Sequence, residues 1–146
     1  MADAAPPVAV LDASVAVRWV VAEEGSEEAA ALLQSDTSWI APRLLLTEVA
    51  SALRRKVAEG ALAAAEAAQA LDALLQAAAE SVIQLVEDEQ IVVQALLLAI
   101  SIEHRVPDCL YLALAEREGA AIATADDRLS RLARGRGVAV LQVPHG

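Results

Sequence analysis

Short apolar runs separated by longer helical stretches constrain this chain more than any other feature. The runs that read as strands lie near 8–11 (VAVL), 37–41 (TSWIA), 82–86 (VIQLV), 120–124 (AAIAT) and 138–143 (VAVLQV). Helical stretches cover 14–21, 26–35, 42–59, 61–79, 88–103, 107–118 and 127–135. Such alternation predicts an α/β fold: a central parallel sheet of about five strands with helices on both faces. Pro42 and Pro107 stand where helices are expected to begin, because a first-turn residue needs no amide donor. Gly60 is placed between two helices of a hairpin, and Gly119 and Gly135 at helix ends. At 146 residues the whole chain, 1–146, is expected to form one domain, with no linker and no fixed-period repeat.

Composition excludes several classes of function. Hydrophobic residues make up 57% of the chain, enough for a sizeable core built from small and aliphatic side chains. Cys109 is the single cysteine, so neither a disulfide framework nor a thiolate zinc site is available. The N-terminal MADAAPP has an acid where a secretory leader carries Lys or Arg. The longest apolar run, IVVQALLLAISI at 91–102, is too short to span a bilayer and reads as a buried helix. A cytoplasmic protein with no membrane partner is therefore expected. The net charge of −10 argues against wholesale attraction to nucleic acid, whose phosphates are bound by basic groups.

In open parallel sheets, ligands bind beyond the carboxyl ends of the strands. Two strands run straight into acids there: VAVL into Asp12, and AAIATA into Asp126 and Asp127. Glu48 lies in the helix that follows TSWIA, and Asp108 in the first turn of the helix opened by Pro107. Each has an ordinary explanation. Asp12, Asp126 or Asp127 could cap a helix, with Ser14 or Thr124 assisting. Asp108 could serve the helix dipole. Glu48 falls opposite the apolar stripe of Leu46, Val49, Ala50, Leu53 and Val57, as a solvated residue would. Together, though, four acids at one sheet edge would repel one another and raise each other's pKa values. A divalent cation relieves that conflict, and oxygen-only donors suit Mg²⁺ or Mn²⁺ better than zinc.

The segments VLDASV (10–15), LLLTEVASAL (44–53), PDCLYLALAE (107–116) and ATADDRL (123–129) occur in this order across nearly the whole chain. In them the chain resembles the PIN-domain family, in particular the VapC-type toxin ribonucleases of bacterial toxin–antitoxin pairs. The resemblance implies a three-layer α/β/α fold and a divalent-metal-dependent endoribonuclease. It maps Asp12, Glu48, Asp108 and Asp126 onto the family's acidic quartet, as catalytic residues and metal ligands. It maps Ser14 and Thr124 onto small hydroxyl residues that steady those acids. The implied cofactor is Mg²⁺ or Mn²⁺ and the implied substrate RNA. The implied partner is a cognate antitoxin that covers the acidic cleft and sends an Arg or similar cation into it.

Other residues bear on the same chemistry. His104 and His145, the only histidines, are expected to be structural or solvated, and Cys109 to be a small core residue. Trp19 and Trp39 are expected in the core. Two basic groups, Arg54–Arg55–Lys56 and Arg128, Arg131, Arg134 and Arg136, lie on helices that start from the acidic edge. They fit either a phosphate-binding rim or a solvated helix face. The sparsely charged stretch 61–102 suits either a homodimer interface or a well-filled monomer core. The alternative function is a noncatalytic partner-binding domain of the same fold, with its acids used as caps. A phosphotransfer domain with an aspartyl nucleophile fits poorly, because Ala13 and Ser14 rather than a second acid follow Asp12, and Lys56 is the only lysine.

Overall fold

The computed structural model describes residues 7–145. The five strands are β1 (Val8–Leu11), β2 (Ser38–Pro42), β3 (Ile83–Val86), β4 (Ala121–Thr124) and β5 (Val140–Gln142). They form one sheet in the order β3-β2-β1-β4-β5, and every pairing is parallel. The helices are α1 (Ala13–Val20), α2 (Ser26–Leu33), α3 (Leu44–Ala58), α4 (Ala64–Ala79), α5 (Val92–Ile102), α6 (Val106–Glu118) and α7 (Asp127–Gly135).

This strand order places a topological switch between β1 and β4. From β1 the chain winds outward through β2 and β3, then returns to β1's other side for β4 and β5. The loops leaving β1 and β4 diverge there and open a crevice at the carboxyl edge. Asp12 and Thr124 stand at that point. Leu11 is in register with Ala123, and the Asp12 amide extends the ladder to the Ala123 carbonyl at 3.1 Å.

Burial on both faces explains why the strands read as continuous apolar runs. Val10, Leu11, Ile122 and Ala123 are fully inaccessible. The helices form two groups. In one, α6 packs across β1, β2 and β4 with α5 against it; in the other, α1, α3 and α4 pack on one another. Trp39 is buried and Trp19 half-buried; their rings meet edge to face at 5.3 Å, and the Trp19 indole donates to the Ala29 carbonyl. Both serve the core, as expected.

Several sequence expectations need correction. Pro42 ends β2 opposite Val86 instead of opening a helix, and α3 begins at Leu44. A residue that precedes proline is biased to extended backbone, so the strand runs through Ala41 and Pro42. The stretch 88–103 is a 3-10 turn, Asp88–Gln90, followed by the separate helix α5. The second arm of the helical hairpin starts at Ala64, not 61, after a turn in which Gly60 takes a φ of +80° that favours glycine. The run 91–102 is not a buried helix. Only Ala95, Leu98 and Ala99 of α5 are buried, while Val93, Leu97 and Ile100 are 62–66% exposed. An apolar helix that packs against one neighbour on one side leaves its far side in solvent, whatever its hydropathy. No helix among the described residues is long and apolar enough to cross a membrane.

Candidate active site

A cleft of about 530 Å³ opens at the carboxyl edge of the sheet, and Asp12, Glu48, Asp108 and Asp126 all line it. The four acids singled out in the sequence thus come from just beyond β1 and β4, from the second turn of α3 and from the first turn of α6. Among the described residues the buried polar side chains are Asp12, Asp108, Thr124 and Ser130. Three of them therefore belong to this site.

Asp12 occupies the N-cap position of α1, but its side chain makes no capping bond. It instead accepts hydrogen bonds on Oδ2 from the hydroxyls of Ser14, at 2.5 Å, and Thr124, at 2.8 Å. Those hydroxyls are in turn held by backbone donors: the Ala125 amide points to Ser14 Oγ and the Asp126 amide to Thr124 Oγ1, both at 2.9 Å. The loop after β4 therefore fixes the acid after β1. Burial pushes the Asp12 carboxyl up from its ordinary value; the two hydroxyl bonds oppose that shift, and the charge of Asp126 adds to it.

Asp108 sits in the first turn of α6 and is 8% exposed. Its Oδ2 accepts from His104 Nε2 at 2.7 Å, and the guanidiniums of Arg105 and Arg128 approach the same oxygen at 3.5 and 3.6 Å. Glu48 is half-buried, not solvated. The buried stripe of α3 is Leu45, Val49 and Leu53, which turns Glu48 toward α6. There the Tyr111 hydroxyl donates to Glu48 Oε1 at 2.6 Å. Burial raises the Glu48 carboxyl; Tyr111 opposes this, and the charges of Asp12 and Asp108 add to it. Tyr111 is itself held well above its usual range by burial and by the same acids, so it stays a neutral donor. Asp126 does cap a helix: its Oδ1 accepts from the amides of Arg128 and Leu129 at 2.8 and 3.4 Å.

A common pattern emerges. Each acid is tied down through one oxygen, while its other oxygen makes no hydrogen bond among the described residues. Held groups with a free lone-pair face are what a ligand site needs. Among the described residues no three acid, His or Cys side chains already stand together as a metal cage.

Basic residues also line the cleft, alongside Glu23 and Glu59. Arg18, 10% exposed, is pinned to the carbonyls of Ser14 and Glu24 and to the Glu23 carboxylate. Lys56 also pairs with Glu23, Arg55 lines the cleft too, and Arg105 stands beside Asp108. Of the first basic group, Arg54 lies outside the cleft lining. Asp127 points away from the cleft to His145, at 2.8 Å. Cys109 is buried in the core as expected.

Sequence reasoning missed His104, Tyr111 and Arg18 at this site. Tyr111 had a usable signal: it is three residues after Asp108, hence on the same face of α6. His104 precedes the helix, so no periodicity connects it to Asp108.

The profile of the PIN domain matches residues 9–135. No curated protein matches the sequence significantly. Several solved structures are similar in fold. PAE2754 from Pyrobaculum aerophilum superposes with a TM-score of 0.68 at 21% identity, over 92% of this chain and 83% of that one. VapC20 of Mycobacterium tuberculosis, a toxin that cleaves the sarcin–ricin loop, gives 0.64 at 17% identity, over 85% and 94%. VapBC2 from Rickettsia felis, solved on a DNA fragment from its promoter, gives 0.61 at 12% identity, over 93% and 98%. With a sheet ordered around β1, acids at the switch point and a domain profile that spans 9–135, the chain belongs to the PIN-domain family.

Proposed function

We propose that this protein is a divalent-metal-dependent endoribonuclease and the toxin of a VapBC-type toxin–antitoxin pair. The observation that carries the reading is the set of four cleft acids, each fixed through one oxygen and open at the other. A purely capping role would account for Asp126 and leave Asp12, Glu48 and Asp108 unexplained.

The donor set fits Mg²⁺ or Mn²⁺. It is all oxygen, and the one nearby imidazole, His104, is already engaged with Asp108. Mg²⁺ keeps most of its waters and is held by one or two carboxylates plus substrate phosphate, so an open arrangement suits it better than a closed cage would. When bound, such an ion lowers the pKa of a coordinated water and steadies charge on a phosphoryl oxygen.

The chain's own residues supply the rest. Asp12, Asp108 and Asp126 would hold the ion directly or through water. Glu48, aimed by Tyr111, would orient the attacking water. Ser14 and Thr124 keep Asp12 in place, and His104 does the same for Asp108. Arg18, Arg55 and Arg105 would face the phosphate backbone across the cleft. This reading puts the protein's work in the cytoplasm.

Two protein partners follow from this reading. The VapBC likeness supports a cognate antitoxin over the cleft. The uncharged outer face of α5 supports a second copy: chains of net charge −10 approach each other best through a face without charges, and α5 has none. The test is purified protein, freed of any antitoxin, incubated with single-stranded and structured RNA with Mn²⁺ or with EDTA. Cleavage that EDTA abolishes and Asp12→Asn lacks supports the reading. Cleavage unchanged in Asp12→Asn, or none by the wild type across a broad RNA panel, rejects it in favour of a partner-binding domain.

A further inference from the structure

A second cavity, of about 400 Å³, adjoins the acidic cleft on the α7 side and is lined by Ile102, His104, Arg128, Arg131, Leu132, Gly135 and Arg136. We propose that this groove seats one unstacked nucleotide of a single-stranded RNA beside the scissile bond, its base on the aliphatic floor and its phosphate on Arg131 and Arg128. The proposal rests on the nuclease reading for its substrate class.

Three independent features point to a nucleotide. The first is continuity. His104 and Arg128 form part of this groove and both contact Oδ2 of Asp108, an acid that lines the cleft. Asp108 of the cleft and His104 and Arg128 of the groove are thus direct neighbours, so a strand bound beside Asp108 lies next to the groove.

The second is charge. Residues 128–138 carry four arginines and no acid in a chain of net charge −10. Arg136 is neutralised by Glu116 and Arg128 leans on Asp108. Arg131 is exposed and makes no ion pair among the described residues. One free cation beside a partly engaged one suits a phosphate monoanion, whose binding rests on such local charge.

The third is shape. Ile102 and Leu132 are half-buried and give the groove an aliphatic floor, while Arg guanidiniums form its rim. Single-stranded bases stack on guanidinium planes and can be held against apolar side chains, which a base paired in a duplex cannot do. Gly135 leaves the groove open: a Cβ built there meets nothing within 4 Å. Its φ lies outside the left-handed region, so a side chain can be added there without backbone strain.

The groove can be tested apart from catalysis. Binding of a short fluorescein-labelled single-stranded RNA to the full chain is read by anisotropy in EDTA, for wild type, Arg131→Ala, Gly135→Leu and Arg54→Ala. Arg131→Ala should weaken binding about five- to tenfold and flatten the salt dependence by about one phosphate contact. Gly135→Leu keeps every charge and should weaken binding at least as much by filling the groove. Arg54→Ala, outside both cavities, should change affinity by less than about twofold, the effect of a lone exposed charge. Retained affinity in Arg131→Ala and Gly135→Leu overturns the proposal. So does an equal loss in Arg54→Ala, or no RNA binding by the wild type. If wild type binds in this pattern yet cleaves nothing when Mn²⁺ is added, the groove stands and the nuclease reading falls.

Discussion

The neighbouring helices α5 and α6 are both dominated by apolar residues and pack on each other, yet they have opposite fates. From Cys109 to Ala115 every residue of α6 is buried. On α5, Val93, Leu96, Leu97 and Ile100 are between 48% and 66% exposed. The more polar helix is the more deeply placed: α6 carries Asp108, Glu116, Arg117 and Glu118, and α5 carries no charge at all. Position on the sheet accounts for the difference. Because α6 lies across β1, β2 and β4, its first turn puts Asp108 at the cleft and its second puts Tyr111 against Glu48. By contrast, α5 packs chiefly on α6 and leaves its outer face exposed. Hydropathy alone describes which residues avoid water; contact with the central strands decides which helix serves the site.

Substitutions should separate the two helices most sharply by function. Asp108→Asn on α6 should cut RNA cleavage by more than about 100-fold, beyond the 10–100-fold typical of residues that only support a metal ligand. Leu97→Ala on α5 should leave cleavage rates per active chain unchanged. A stability comparison comes next. Leu114→Ala, at a fully buried site of α6, should cost about 2–5 kcal/mol in urea unfolding, whereas Leu97→Ala should stay within about 0.5 kcal/mol in the monomer. Equal losses at the two positions would mean that α5 is covered in solution. Sedimentation of Leu97→Asp would then identify the cover: conversion of a dimer to monomer assigns that face to a second copy.

Tyr111→Phe should have a smaller effect, roughly a tenfold drop in cleavage and about 1 kcal/mol of stability, since it removes one hydrogen bond from Glu48 and no packing volume. The smallest effect concerns pH. Burial raises the folded-state pKa of Asp12 and Glu48 above their unfolded values. Stability from such groups is fully present below the unfolded pKa and lost as pH rises through the folded one. The metal-free protein should therefore gain stability as pH falls from neutral toward the ordinary carboxylate range. At neutral pH, Asp12→Asn should melt at or slightly above the wild-type temperature, by about 1–3 °C.

Much of this arrangement was legible in the sequence, for reasons that can be named. The strands were readable because a doubly covered parallel strand has no polar face to interrupt its apolar run, as in Val8–Leu11 and Ala121–Thr124. Asp12 and Asp126 could be singled out because each directly follows such a run. Glu48 was harder, since the buried stripe of α3 includes Leu45 rather than Leu46, a rotation that only the packed partner sets. The exposure of α5 was illegible because its packing partner is far weaker a constraint than its composition suggests. His104 reaches Asp108 from outside the helix, and Arg18 reaches the cleft through backbone carbonyls, neither of which leaves a periodic trace.

Calorimetric titration of Mn²⁺ asks whether the fixed carboxylates of this one cleft bind a divalent cation. The wild type should bind Mn²⁺ with an enthalpy and affinity that Asp12→Asn loses by at least about tenfold, because Asp12 is the acid most completely held in place. The same titration on Asp127→Asn, whose acid points to His145 outside the cleft, should match the wild type. Undiminished Mn²⁺ binding by Asp12→Asn would contradict cation binding by these carboxylates.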